Sequence, residues 1–500
     1  MTSLDPTPRP LDHLVTLGLP NNPALITRDL VLDYASLDQS VGRMAAALLA
    51  SGLEAGDRVA SWLPKTLAAC VLPLAAARAG LIHVPINPAL KRAQATHILA
   101  DSGAKLLVTA KMRAEALADA PCSIWLEAET NAALNDGNAL QPSQQNPQAL
   151  AAILYTSGST GLPKGVMLSH ANMWLGAISV SHYLRIQPDD RVLGVLPLSF
   201  DYGQNQLFST WAGGGAVVPL DYLTARDVVR AIDRFAITSL AGVPPLWVQL
   251  TEAQWPAEAR ASVKRITNSG GALTRGLVER LQTLFFAADI YPMYGLTEAF
   301  RSTYLDPKLV SAHPTSMGSA IPLAEILVVR PDGSLADDGE PGELVHCGPL
   351  VALGYWNDPE RTARRFKSAP ASSHYGGTAV WSGDTVRRDC DGLLSFVGRD
   401  DEMIKVSGNR ISPSEIETVA LASGAVSEAV AFGIPDARLG QAIILVARGT
   451  AVDAEDRLLA LLKSELPSFM QPKQIVWRGE MPRNPNGKLD RARLKSEISS

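Results

Sequence analysis

Apolar positions along the chain alternate between two periods. Over 34–53 they recur at helical spacing and stop at Gly52, and after Gly56-Asp57 a short apolar run covers 59–63, which predicts a helix followed by a strand. The alternation repeats as helix 67–79, strand 81–86, helix 94–102 and strand 105–109, the layered order of an α/β fold. Beyond a Gly/Ser-rich stretch at 156–161 come strand 192–196, helix 203–213, strand 216–219, helix 225–235 and strand 239–243. From about Ser319 to Val397 the pattern breaks into short apolar runs divided by turns such as Pro331-Asp332-Gly333 and Asp391-Gly392, predicting a β-rich subdomain. The last hundred residues predict a compact α+β unit, with helix 415–422, strands 428–432 and 442–447, helix 453–465 and strand 474–476. The segment 131–148, rich in Asn and Gln, reads as a surface loop.

Composition narrows the class. With 500 residues, 46% of them hydrophobic and 19% charged, the chain suits a globular protein with more than one core. Lys+Arg number 45 against 50 Asp+Glu, and no basic run interleaves with aromatics, so no nucleic-acid partner is expected. Cys70, Cys122, Cys347 and Cys390 lie far apart, forming neither a zinc-type pair nor a disulfide framework. The start, MTSLDPTPRP, lacks a signal-peptide pattern, and the most apolar stretch, 67–86, contains Pro73, Arg78 and Pro85, so a cytoplasmic protein without a membrane span is expected.

The densest chemistry lies in Tyr155-Thr156-Ser157-Gly158-Ser159-Thr160-Gly161-Leu162-Pro163-Lys164-Gly165. Glycines let the backbone approach a polyanion, hydroxyls and free N–H groups bind its oxygens, and the lysine adds a point charge. The string predicts a phosphate-binding loop. It is not a Walker A sequence, because Lys164 is followed by Gly165 rather than Ser or Thr.

YTSGSTGLPKGV resembles the signature loop of the adenylate-forming superfamily, which includes acyl-CoA synthetases, adenylation domains of peptide synthetases and firefly-type luciferases. Further motifs of that superfamily follow in order: Asn268-Ser269-Gly270-Gly271-Ala272, Tyr294-Gly295-Leu296-Thr297-Glu298, Trp381-Ser382-Gly383-Asp384, Gly398-Arg399 with Lys405, Ser407-Gly408-Asn409-Arg410, and Pro485-Asn486-Gly487-Lys488. Within it, PLSFDYGQNQL (197–207) and YGLTEAFRSTYL (294–305) resemble acyl-CoA ligases associated with exosortase A loci.

The resemblance implies a large N-terminal AMP-binding domain over 1–399, a small mobile C-terminal domain over 402–500 and a hinge near 400–401, at Asp401. It implies ATP and Mg²⁺, with Thr156, Ser157, Gly158, Ser159, Thr160, Gly161, Lys164 and Thr297 at the phosphates and Glu298 on the metal. Tyr294 would stack on adenine beside Gly270, Gly271 and Ala272, Asp384 and Arg399 would meet the ribose, and Arg410 would contact phosphate. Lys488 would bridge carboxylate and α-phosphate while acyl-AMP forms. Gly408 would leave room for a thiol once the small domain turns.

One departure stands out. Many acyl-CoA synthetases carry a His and aromatic pair where this chain has Ser199-Phe200-Asp201-Tyr202. Phe-Asp there resembles amino-acid-activating domains, so Asp201 is either an ammonium anchor or a helix N-cap or other structural carboxylate. Arg301 either pairs with a second substrate carboxylate or forms a structural salt bridge. The expected activity is therefore ligation of a carboxylic acid to the thiol of coenzyme A through acyl-AMP. The alternative is an amino-acid-adenylating enzyme loading a separate carrier protein, since only twelve residues follow Lys488. A nucleotide-binding protein without catalysis is the remote alternative.

Overall fold

The computed structural model describes residues 4–90, 92–117, 121–135, 137–156, 163–399, 404–406, 409–436, 439–449, 454–466, 470–485 and 487–499. Among them, four sheets carry the fold. The first runs, edge to edge, through Ser319–Ala320, Thr303–Tyr304, Asp289–Tyr294, Arg265–Asn268, Ser239–Gly242, Arg191–Gly194, Ala216–Pro219, Pro23–Ile26 and Val31–Asp33, with its central strands parallel. The second places Leu150–Thr156 and Lys164–Ser169 beside the parallel strands Ile82–Pro85, Arg58–Trp62, Leu106–Thr109 and Ser123–Leu126. Strands such as Ile82–Pro85 are buried throughout, because crossover helices cover both faces of a parallel sheet.

Local chemistry explains the boundaries. Asp33 accepts the Ser36 amide at 2.8 Å to start the helix Tyr34–Ala50, and Gly52, at φ 89°, ends it. Thr66 caps Leu67–Arg78, a helix buried along almost its whole length despite Pro73. Trp211 is fully buried and donates its indole N–H to the Ala24 carbonyl at 2.9 Å, joining the helix Asp201–Ala212 to the sheet beneath it.

The β-rich segment forms the third sheet, Glu325–Val329, Pro341–Cys347, Thr378–Arg388 and Phe366–Ser368, with Leu394–Arg399 paired to Thr378–Arg388. The fourth sheet lies wholly in the last hundred residues, and its long strands Val426–Asp436 and Gly440–Gly449 carry two cores, one on each face. Ala431, Ile443 and Leu445 face the helices Pro413–Ala422 and Ala454–Glu465, whereas Val430, Phe432 and Ile444 pack with Leu494 of the helix Arg491–Ser499.

The segment 131–148 is not loop throughout. It begins inside the helix Glu127–Asn135, and Ser143 is buried, donating its amide (2.9 Å) and hydroxyl (2.7 Å) to Asp12. Asp12 is itself fully buried against Arg78 at 3.0 Å, so its remaining lone pairs need donors and the polar segment supplies them. Among the described residues no helix is long and apolar enough to cross a membrane.

Candidate active site

Ser269 to Ala272 and Gly295 to Glu298 follow the carboxyl ends of the parallel strands Arg265–Asn268 and Asp289–Tyr294, where open α/β sheets place ligands. Thr156 and Lys164 face each other across an antiparallel strand pair, so the Gly/Ser string connects two strands rather than a strand and a helix as in a P-loop. Ser157, Gly158, Ser159, Thr160 and Gly161 lie outside the described residues. The Thr156 hydroxyl, at the end of the first of these strands, is buried and has no hydrogen-bond partner among the described residues.

Lys164 reaches Glu298 at 3.0 Å and the Tyr355 hydroxyl at 2.8 Å, and Tyr355 donates to the same Glu298 oxygen at 2.6 Å. Tyr355 carries no motif signal in the sequence, and it enters through a short strand, Gly354–Tyr355, that pairs with Lys164–Ser169. Burial pushes the Glu298 carboxyl up, but the Lys164 ammonium and the two hydrogen bonds outweigh it and hold it below its ordinary 4.5. Ionised Glu298 therefore stabilises the fold at neutral pH, and this contribution disappears as pH falls below 4.5 and through the lowered folded value. Glu298→Gln is expected to be less stable than the parent at about pH 7 and to close that gap at about pH 3, as read by urea unfolding. A gap unchanged with pH contradicts the pairing.

Thr297 and Glu298 sit on the single turn Thr297–Ala299, and the Thr297 hydroxyl donates to Asp201 at 3.3 Å. Asp201 is the first residue of its helix; Phe200 holds the N-cap position and makes no side-chain cap bond, so the N-cap role is excluded. Burial raises the Asp201 carboxyl above the usual carboxylate range, with the fields of Arg301 and Lys488 acting the other way. Arg301 makes no ion pair among the described residues; it donates to Ser269 Oγ at 2.9 Å and lies over the Tyr202 ring at 4.6 Å, so the expected alternative of a structural salt bridge is not found.

Lys488 stands on a tight turn, accepting the Asn484 amide at its carbonyl (2.8 Å) with Gly487 at φ 80°. Asn87 donates to the Pro485 carbonyl at 2.9 Å, which ties this C-terminal turn to the N-terminal region. The Lys488 ammonium lies 5.3 Å from the Phe200 ring centre, and a Cβ at Gly270 would come within 2.7 Å of Lys488 Cε. Only glycine permits that approach, and at φ 79° only glycine adopts the backbone without strain. Asn268 holds the turn by donating to the Gly271 carbonyl at 2.9 Å, leaving Gly271 and Ala272 exposed.

The Tyr294 hydroxyl donates to Asp384, bringing together two of the residues expected at adenosine. Arg399 pairs by its backbone opposite Asp384, and Arg410 opposite Lys405. Asp401 and Gly408 lie outside the described residues. Contacts thus join Lys164 to Glu298 and its neighbour Thr297 to Asp201, and Arg301 to Ser269, next to the Gly270 against which Lys488 lies.

Among known proteins, the AMP-binding enzyme family matches residues 17–356, and the AMP-binding enzyme C-terminal domain matches 415–488. Feruloyl-CoA synthase of Amycolatopsis sp is 30% identical over 478 residues, 93% of each chain. A linear gramicidin synthase of Brevibacillus parabrevis is 32% identical over 95% of this chain, which spans only 6% of that protein's length. ATP-bound MatB from Rhodopseudomonas palustris superposes with a TM-score of 0.88 at 26% identity, covering 99% of both chains. MenE, the o-succinylbenzoate CoA synthetase of Bacillus subtilis, held with its acyl-adenylate, gives 0.84 at 26% identity over 98% of both. Family match, full-length likeness and a large α/β region joined to a small C-terminal domain agree: the chain belongs to the AMP-binding enzymes of the adenylate-forming superfamily and is an AMP-forming ligase.

Proposed function

We propose that this ligase activates a carboxylic acid with ATP, releasing pyrophosphate, and passes the acyl group from acyl-AMP to the thiol of coenzyme A. The observation that carries the reading is the seating of Lys488 against Gly270, beside Phe200 and within the field of Asp201. Attack of a carboxylate on the α-phosphate brings two anions together and adds charge at phosphorus, which a lysine ammonium held at that point stabilises. Lys164, Thr156 and the Gly/Ser segment between them would hold the β- and γ-phosphates, Tyr294 the adenine, and Asp384 with Arg399 the ribose. Arg410 would reach phosphate.

A magnesium ion fits the donors present: a buried carboxylate, Glu298, with the hydroxyl of Thr297 next to it. Among the described residues there is no cluster of three or more His, Cys, Asp or Glu that could hold a metal. When bound it would neutralise triphosphate charge, while Lys164 and Tyr355 keep Glu298 ionised and aimed.

The coenzyme A acceptor follows the resemblance of 197–207 and 294–305 to exosortase A-associated acyl-CoA ligases, and the full-length likeness to feruloyl-CoA synthase supports it. A second reading, an amino acid passed to a carrier protein, is favoured by the buried Asp201 carboxylate and by the likeness to a segment of a gramicidin synthase. Hydroxamate formation across fatty, aryl, amino and dicarboxylic acids tests the acid; thioester formation on coenzyme A and on a phosphopantetheinylated carrier tests the acceptor.

Thiol transfer would follow rotation of the 402–500 domain about Asp401, which withdraws Lys488 and brings in Gly408. Asp401→Pro is expected to leave acyl-AMP formation largely intact and to slow thioester formation by about tenfold or more, since proline fixes the φ angle a hinge must change. Parent-like thioester rates in stopped-flow assays contradict a hinge at that residue.

A further inference from the structure

Behind Tyr202 lies a partly open cavity of about 30 Å³, room for about two waters at 10–15 Å³ each, walled by Met293, Leu240 and neighbouring aliphatic side chains. Its polar lining is unusual in what it leaves unpaired. Arg301 is 2% exposed, yet its Nε and Nη2 have no hydrogen-bond partner among the described residues. Gln206, 5% exposed, leaves both amide atoms unpartnered, and Asn205 leaves Oδ1. A second guanidinium, Arg265, also lines the cavity, but its donors are taken by Asp190 (3.1 Å), Ser239 and the Arg185 carbonyl. No Asp or Glu is among the lining residues.

Buried donors without partners cost several kcal/mol, and a buried guanidinium is rarely kept without an anion. The backbone also holds Arg301 there at a cost. Phe300 sits at φ 62° and ψ −77°, the region of the strained γ-turn, and its ring occupies space that only Gly176 leaves open. This turn folds Arg301 back towards Ser269, the residue before Gly270, where Lys488 is seated. Arg301 therefore spans the distance between the cavity and the point where the reacting carboxylate would lie.

We propose that the cavity receives the far end of the acyl substrate and that this end is a second carboxylate, held by Arg301 Nε and Nη2 and by the Gln206 amide. The acid is then short, because the cavity is small, and anionic at both ends. With an ammonium on Asp201 it is an acidic amino acid; without one it is a short dicarboxylate. The inference rests on the acid-ligase reading of the same site.

The test pairs acids that differ only at the far end: glutarate with valerate, succinate with butyrate, L-glutamate with L-glutamine and L-aspartate with L-asparagine. Hydroxamate kcat/KM is expected to favour the second carboxylate by on the order of 10²-fold in at least one pair, as for a buried charge pair that loses one partner. Arg301→Met should reduce that ratio to a few-fold. Gln206→Glu, which offers Arg301 a carboxylate of its own, should do the same if Arg301→Met does not fold. Melting temperature is read alongside with the same acids, since it needs no turnover: the anionic member of the favoured pair should stabilise the parent more than its neutral partner, and Arg301→Met or Gln206→Glu should erase the difference. Absence of hydroxamate from every acid sinks the acid-ligase reading, and the cavity is then judged by melting alone. Equal kcat/KM or equal melting shifts within every pair overturns the proposal and leaves a cavity that holds water.

Discussion

Lys488→Ala should lower acyl-AMP formation by about 10²–10³-fold, the loss expected when one preorganised donor to a charged transition state is removed. Thioester formation from acyl-AMP supplied ready-made should stay close to that of the parent, because the lysine's charge is needed only while the carboxylate attacks phosphorus. The structure gives this split a physical basis. The Lys488 carbonyl accepts the Asn484 amide, its Cε lies where a Cβ on Gly270 would come within 2.7 Å, and Asn87 holds Pro485 by its carbonyl. Gly270→Ala should mimic part of the loss, since its methyl would meet Lys488 Cε. Equal loss in both half-reactions contradicts the role given to Lys488.

Asp201→Ala should have the second large effect, on substrate choice. A carboxylate 5% exposed and pushed up by burial is an expensive neighbour for an uncharged acyl chain and a good one for an ammonium. Amino acids, α or β, should be activated better than their des-amino counterparts by on the order of 10² or more, and the preference should collapse in Asp201→Ala. Pyrophosphate release with matched acid pairs measures it. Equal activation of fatty acids and amino acids, unchanged by the substitution, makes Asp201 a structural partner of Thr297.

Much of this was legible along the chain because the residues concerned sit at strand ends, where a short apolar run stops and a polar motif begins. Asn268 and Tyr294 close the strands Arg265–Asn268 and Asp289–Tyr294, whereas Asp201 opens a helix, and the strands at 82–85, 216–219 and 239–242 lie within the runs predicted for them. Tyr355 was not legible: it meets Glu298 only because Gly354–Tyr355 pairs with a strand some 190 residues earlier, and no local pattern encodes that pairing. The same holds for the polar segment at 131–148, whose Ser143 is buried by the needs of Asp12 far away in sequence. Arg301 stood in view as a residue beyond Glu298, but its unpaired donors and the strained turn at Phe300 are facts of packing alone.

Ligation of a carboxylic acid to a thiol is the reaction proposed for this AMP-forming ligase. Its most direct measurement incubates the protein with ATP, Mg²⁺, coenzyme A and the acid panel, and follows AMP, pyrophosphate and thioester together. All three should rise in equal amounts, and only when a suitable acid is present. AMP and pyrophosphate formed with an acid, but with no thioester on coenzyme A or on a carrier protein, would contradict it.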